Sequence, residues 1–258
     1  AYCLVGVGAA LYSPAKYGIL PELAGHNGLV KANSWIEGST ILAILTGMVV
    51  GAKVADYSTT WALAGTVALI LISAATTLFL PAKISRAPVA GSKIVLFYRE
   101  VRSFLATPRS RFAVLGASLF WAAAACVRVI IIAWAPAVLL SHNASDIANL
   151  TLFLAIGIIV GSALVPHLIP LEHLRRARIP AYVMALMIVG LSFTHDIWSA
   201  RAVLLLMGTA GGMFIVPINA ALQELGQQSI GSGGAVAMQN FFQNSAMLLS
   251  VGTYTLAA

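Results

Sequence analysis

Arg128 is the first residue in this sequence whose position predicts binding chemistry. It lies near the middle of the apolar run 112–140, and about 20 such residues cross the hydrocarbon core of a bilayer as a helix. A guanidinium at that depth costs at least about 2.5–3.5 kcal/mol, and it usually faces a partner or an aqueous cavity. We therefore expect Arg128 to bind substrate in a central cavity. A structural ion pair between helices is the alternative.

Glu37 is the second candidate, because it is an acid one to two turns inside another predicted membrane helix, at residues 30–54. By their loop positions, Lys16 and Lys31 lie at the same end of the protein. Glu37 is therefore either a proton-coupling site or one partner of a gate pair with Lys16 or Lys31. The sequence favours the gate. Tyr17 stands beside Lys16 in a motif at residues 12–23, whose prolines and glycine predict a helix end at the membrane boundary.

An amide cluster near the end of the chain is the third candidate. Gln239, Asn240, Gln243 and Asn244 repeat at i,i+4 spacing and give a helix two polar stripes. We expect one stripe to line the cavity, so that Gln239, Asn240 and Gln243 contact the substrate together with Asn219. The alternative is hydrogen bonding between helices, worth about 0.6–2 kcal/mol per contact.

The composition predicts the elements that position these residues. Of 258 residues, 60% are hydrophobic and only 9% are charged, which indicates an all-α, polytopic membrane protein. A transmembrane barrel is excluded because the apolar runs are continuous and about 20 residues long, instead of alternating over about ten. Cys3 and Cys126 lie inside apolar runs, where they act as small hydrophobes and predict no disulfide or metal site.

The net charge of +7 indicates orientation in the membrane and not nucleic-acid binding. The basic loops alternate with loops poor in Lys and Arg, so we expect the basic loops to be cytoplasmic. Residues 82–111 form a long basic linker with an amphipathic helix, which lies either on lipid headgroups or on the protein. The predicted organisation is the end of an N-terminal helical half at 1–81, this linker, and most of a C-terminal half at 112–258. Because apolar runs stand at both ends, we expect a fragment lacking helices at each end.

Two small-residue motifs, Gly47-x-x-x-Gly51 and Gly157-x-x-x-Gly161, are predicted to face each other across the two halves, although such spacings also arise by chance. Nucleotide-binding and metal-binding signatures are absent from the sequence, so no cofactor is expected. His142 and Asp146 superficially suggest an acyltransferase pair, but their spacing is wrong, and we interpret them as turn and cap residues.

Several motifs resemble one family along the whole chain. They are Tyr-Ser-Pro-Ala-Lys-Tyr-Gly-Ile-Leu-Pro-Glu-Leu at 12–23, Leu-Val-Lys-Ala-Asn at 29–33, Ser-Leu-Phe-Trp at 118–121 with Arg128, Val-Pro-Ile-Asn-Ala-Ala-Leu-Gln-Glu at 216–224, and Asn-Ser-Ala-Met-Leu-Leu at 244–249. The chain resembles the bacterial lysophospholipid transporters of the major facilitator superfamily.

That resemblance implies a non-enzymatic flippase of the bacterial inner membrane. It implies movement of lysophosphatidylethanolamine and lysophosphatidylglycerol from the outer to the inner leaflet, where a partner acyltransferase/acyl-carrier-protein synthetase reacylates them. One phosphate suits the fork of an arginine. The alternative is a proton-coupled major facilitator exporter of amphipathic drugs, and a membrane acyltransferase is a less favoured class.

Overall fold

The computed structural model describes residues 2–79, 93–138 and 144–257, and within these ranges the chain forms helices and turns with no strand. The predicted all-α class is confirmed. The helices are α1 Tyr2–Gly18, α2 Leu20–Tyr57, α3 Thr59–Thr76, α4 Lys93–Phe104, α5 Pro108–Val138, α6 Ala144–Leu168, α7 Arg178–Leu191, α8 Ile197–Gln228 and α9 Ser232–Ala257. Short 3₁₀ segments follow α3 at Thr77–Phe79 and precede α7 at Leu171–Ala177.

Five helices of the described ranges are long and apolar enough to cross a membrane, namely α2, α3, α5, α6 and α8. The chain is therefore a multi-pass membrane protein, as its composition predicts. α8 begins at a side-chain cap, where the Asp196 carboxylate accepts hydrogen bonds from the backbone N–H groups of Trp198 and Ser199 at 2.9 Å each. The Ser199 hydroxyl and these N–H groups lower the pKa of Asp196.

By their order along the chain, we call α1–α3 the first group and α5–α9 the second group. α8 is central: it is buried over most of its length and packs against α2, α5, α6, α7 and α9. One core cluster joins the groups, because Leu29 and Val30 of α2 pack with residues such as Ile215 and Val216 of α8. α3 packs mainly against α2.

α6 and α8 pack with their backbones in contact along a seam of glycines. A Cβ atom added at Gly157 would collide with the carbonyl of Leu205, and one added at Gly161 would collide with that of Thr209. Two glycines of α8 face this seam in turn, Gly208 and Gly212. Small residues at i,i+4 let two helices approach this closely.

The predicted pairing of the two glycine motifs is wrong. Gly157 and Gly161 pack within the second group, whereas Cβ atoms added at Gly47 and Gly51 would meet no described atom within 4 Å. The spacing Gly-x-x-x-Gly marks a flat helix face, but it carries no information about which helix covers that face.

The helical path is interrupted between α1 and α2, and α2 is kinked again at Gly25. Gly25 has φ 64° and ψ 177°, a conformation that only glycine adopts readily. The sequence predicts a turn two residues later, at Asn27-Gly28, but the structure is helical there. Leu29 and Val30 are only 1% and 7% exposed, and burial of their side chains outweighs the weak local preference of Asn-Gly for a turn.

α4 contacts the rest of the protein through part of its apolar face. The ring of Phe97 meets that of Phe241 edge-on with 5.7 Å between centroids. Phe104 is 4% exposed, and Val101 packs against the main core cluster. Residues 82–92 of the predicted linker lie outside the described residues.

The α6–α8 seam predicts unequal effects of the same substitution at two glycines. Gly161→Val should lower the free energy of unfolding by about 1–3 kcal/mol, because the added methyl groups meet the α8 backbone. The matched change Gly51→Val, in open space on α2, should leave the melting temperature of the detergent-purified protein nearly unchanged. Equal destabilisation by both would contradict the seam.

Candidate functional site

A polar cavity of about 160 Å³ lies where α1, α2, α5, α8 and α9 meet. Seven of its ten lining residues carry hydroxyl, amide or carboxylate groups, and Tyr17 adds a phenol. The lining residues are Ser13, Tyr17, Glu37, Trp121, Asn219, Gln223, Val236, Gln239, Asn240 and Gln243. No cluster of three His, Cys, Asp or Glu side chains with metal-binding geometry occurs among the described residues.

The cavity brings together six of the residues singled out from the sequence: Tyr17, Glu37, Asn219, Gln239, Asn240 and Gln243. Asn219 and Gln239 are 8% and 6% exposed, and Gln239 Nε2 donates to Asn219 Oδ1 at 2.9 Å. The amides therefore do both things that the sequence left as alternatives, since they bond between helices and line the cavity. An unpaired amide that faces lipid is costly, so the polar side chains of these otherwise apolar helices point to the interior of the protein.

The lysine that interacts with Glu37 is Lys16 of α1, and not Lys31 of α2. The carboxylate, on a side chain 6% exposed, interacts electrostatically with Lys16. Lys16 Nζ also donates to Thr40 Oγ1 at 3.2 Å and lies 5.1 Å from the ring centroid of Tyr17. Lys31 is exposed and lies six residues before Glu37 on α2, which at 100° per residue turns it to a different face.

Arg128 is exposed on α5 and does not line the polar cavity. It follows Trp121, a cavity residue, by seven residues, so both side chains lie on nearly the same face of α5, with Arg128 about 10 Å farther along the axis. The cavity-facing stripe of α5 thus continues to Arg128.

An amide pair joins the two groups beside the cavity. Asn33 Nδ2 donates to Gln223 Oε1 and Gln223 Nε2 donates to Asn33 Oδ1, each at 2.9 Å. Asn33 also donates to the carbonyl of Leu29 at 3.0 Å. The two amides are 2% and 1% exposed, so removing one would leave the other with unsatisfied groups, at a cost of about 1–3 kcal/mol.

α1 and α9 meet at the same end of the molecule. Asn240 Nδ2 donates to Ser13 Oγ at 3.0 Å, and the hydroxyl of Ser232 donates to the carbonyl of Gly18. A Cβ atom at Gly18 would stand only 2.9 Å from the Cα of Gly233. Glycine at position 18 therefore permits this contact, whereas a Cβ at Gly233 would stand at an ordinary 3.6 Å from the carbonyl oxygen of Pro14.

A cluster of four charged or titratable side chains forms the rim of this end. His26 Nδ1 lies 2.5 Å from Glu224 Oε1, and His26 Nε2 lies 3.2 Å from Glu172 Oε1. Arg109 donates to Glu224 Oε2 at 3.1 Å. A hydrogen bond from its own backbone N–H, followed by the one from His26, lowers the pKa of Glu172. Glu172 is 59% exposed, so its ion pair with His26 contributes little to stability.

Sequence reasoning missed the residues that join the groups. Asn33 and Gln223 stand among other polar residues in the first half of α2 and near the end of α8, and His26 directly precedes the turn predicted at Asn27-Gly28. The signal available in the sequence was the presence of amides within apolar helices. Pairing Asn33 with Gln223, 190 residues away in the chain, also requires the register between the two helices, which a single sequence does not contain.

The comparisons with known proteins identify the family of the chain. The family model of the Major Facilitator Superfamily matches residues 1–251 of the 258. The chain belongs to the major facilitator superfamily. No solved structure matches it.

Relatives with a named activity match nearly the whole chain of this superfamily member. It is 39% identical over 260 residues to the lysophospholipid transporter LplT of Shigella boydii serotype 4, covering 99% of this chain and 66% of that protein. It is 40% identical to those of Shigella flexneri serotype 5b, with 99% and 65% covered, and of Escherichia coli O139:H28, with 99% and 66% covered. The chain therefore spans just under two thirds of the length of these relatives.

The electrostatic interaction between Lys16 and Glu37 predicts energetic coupling, which a double-mutant cycle measures. Lys16→Gln and Glu37→Gln, alone and combined, should give an interaction free energy of about 1 kcal/mol in thermal unfolding in detergent, because each single change leaves the other charge without its partner. The matched cycle with Lys31→Gln in place of Lys16→Gln should be additive. Coupling through Lys31 and none through Lys16 would overturn the assignment.

Proposed function

We propose that the protein is a lysophospholipid transporter of the bacterial inner membrane, which moves lysophosphatidylethanolamine and lysophosphatidylglycerol from the outer to the inner leaflet. The observation that carries this proposal is the 39–40% identity, over 99% of the chain, to relatives named lysophospholipid transporters. Membership of the superfamily supports the mechanism, in which two helical groups move against each other around a central site.

The substrate's headgroup is assigned to Arg128 in this proposal. A lysophospholipid carries one phosphate, and a guanidinium binds two phosphate oxygens with parallel hydrogen bonds. Arg128 is exposed on the stripe of α5 that begins at the cavity residue Trp121. The amides of Asn219, Gln239, Asn240 and Gln243 offer further donors once the headgroup enters the cavity.

The gate is assigned to the end where the two groups touch. The Asn33–Gln223 amide pair and the Ser13–Asn240 hydrogen bond join the two groups beside the cavity, at an end that the basic loops predict to be cytoplasmic. Glu37, Lys16 and Tyr17 border that junction from the first group. The interactions of these side chains would change when α2 separates from α8. We therefore propose that they determine the free-energy cost of opening the gate.

The protein is proposed to move its substrate without altering it. Cavity amides and a guanidinium bind and orient a headgroup, and neither supplies the activated nucleophile that acyl transfer requires. Reacylation in the inner leaflet is assigned to a partner acyltransferase/acyl-carrier-protein synthetase.

Arg128 gives the sharpest test of the proposal. In liposomes with the intact protein and fluorescent lysophosphatidylglycerol, Arg128→Ala should reduce the translocation rate by at least about tenfold, because even one lost charge-assisted hydrogen bond exceeds about 1.4 kcal/mol. Arg128→Lys should retain part of the rate, since it keeps the charge and loses the fork. The matched control is Arg111→Ala, an exposed arginine on the same helix, which should transport normally.

The other outcomes separate the alternatives. A folded Arg128→Ala protein with the wild-type rate would reject the phosphate role, whereas poor folding rescued by neutralising a helix acid would assign Arg128 to a structural pair. Efflux of amphipathic drugs driven by a pH gradient, without lysolipid movement, would support the exporter. A new diacyl product would support an acyltransferase.

A further inference from the structure

A groove outside the polar cavity runs between α2 of the first group and α6 of the second. Its volume is about 520 Å³, within the range of pockets that hold small ligands. The walls are mostly apolar, with Trp35 and Leu42 on α2 and Ile159 and Pro166 on α6. Trp35 is 72% exposed, so an indole ring stands open beside the groove.

The basic residues that line the groove lie at one end. Lys31 lies near the start of α2, and His167 lies near the end of the antiparallel α6. No Asp or Glu lines the groove among the described residues. An anionic group at this end would therefore meet a positive charge without an opposing carboxylate.

Ser34 provides an independent sign of a binding site at this end. It borders the groove beside Lys31, is 8% exposed, and its hydroxyl has no hydrogen-bond partner. Nearly all buried hydroxyl groups in proteins are paired. After a change of rotamer, this hydroxyl could donate to an oxygen of the same anion that pairs with Lys31.

The length of the groove matches one leaflet of a bilayer. Lys31 and Leu42 are eleven residues apart on α2, which is about 16 Å of helix. Half of the hydrocarbon core measures about 15 Å. A lipid with its phosphate at Lys31 would thus extend one acyl chain along the groove to the bilayer midplane.

We propose that this groove binds an anionic diacyl phospholipid of the bilayer, with its phosphate at Lys31 and Ser34 and one acyl chain between α2 and α6. The lipid contacts both helix groups, so it stabilises the arrangement in which they touch. This inference rests on the chain's place in the membrane and does not depend on which substrate the protein transports.

The test uses the intact protein in phosphatidylcholine nanodiscs that contain a small fraction of diacyl phosphatidylglycerol with a photoreactive acyl chain. Mass spectrometry of the peptides should find the label concentrated on the groove walls, between 31 and 42 and between 159 and 167. Lys31→Gln should weaken the apparent affinity for the probe about tenfold. The matched control Lys53→Gln, at the other end of α2, should leave it unchanged.

A second variant fills the groove without removing charge. A Cβ at Gly38, in the groove wall, would meet no atom within 4 Å, as is also true at Gly47 outside the groove. Gly38→Leu should therefore fold normally and reduce groove labelling, while Gly47→Leu should not. This variant decides the matter if Lys31→Gln is poorly folded.

Three results would overturn the proposal. One is equal labelling of the groove by a phosphatidylcholine probe with the same photoreactive chain, which indicates a nonselective lipid shell. Another is labelling that survives both Lys31→Gln and Gly38→Leu. The third is displacement of the probe by lysophosphatidylglycerol at lower concentrations than by diacyl phosphatidylglycerol, which would make the groove a transport-substrate site. An intact protein that does not transport lysolipid would contradict the proposed function, whereas the labelling of the groove tests lipid binding separately.

Discussion

The reciprocal amide pair of Asn33 and Gln223 is the contact on which the arrangement of the two helix groups depends. It is almost completely buried and lies beside the apolar contacts that Leu29 and Val30 make with α8. A displacement of α2 by one residue would separate the amides and leave their buried donors and acceptors without hydrogen-bond partners. The pair therefore specifies the register of α2 against α8 more narrowly than apolar packing could.

The same chemistry makes this contact reversible. Water can replace both partners when the groups separate, so each hydrogen bond contributes only about 0.5–1.5 kcal/mol net. The rim ion pair of His26 with Glu172 is half exposed on both sides and adds little. An end held by such contacts can open at modest cost, as the proposed transport requires, while a mismatched register stays unfavourable.

Much of this architecture could be predicted from residue types. Apolar runs of about 20 residues identify membrane helices, and a polar side chain inside such a run must face the interior. That rule is why Glu37, Asn219, Gln239 and Gln243 meet at one cavity. Helical phase alone could also have separated Lys31 from Glu37, because six residues turn the helix by 240° beyond one full revolution.

Pairing between distant helices could not be predicted in the same way. The two glycine motifs look alike in the sequence, yet one lies in a tight seam and the other faces open space. The turn signal at Asn27-Gly28 was outweighed by the burial of the residues that follow. In each of these cases the deciding energy comes from a neighbour far away in the chain.

The contacted end of the two groups is, in the function proposed above, a gate that opens during transport. Spin labels at Asn27 and Gln228, two exposed positions beside the His26–Glu224 contact, allow pulsed electron paramagnetic resonance to measure the distance across that end in the intact protein. If this end is a gate, we expect one short distance without substrate and a second, longer population after lysophosphatidylglycerol is added to the nanodiscs. A distance distribution that stays the same with and without the lysolipid would contradict it.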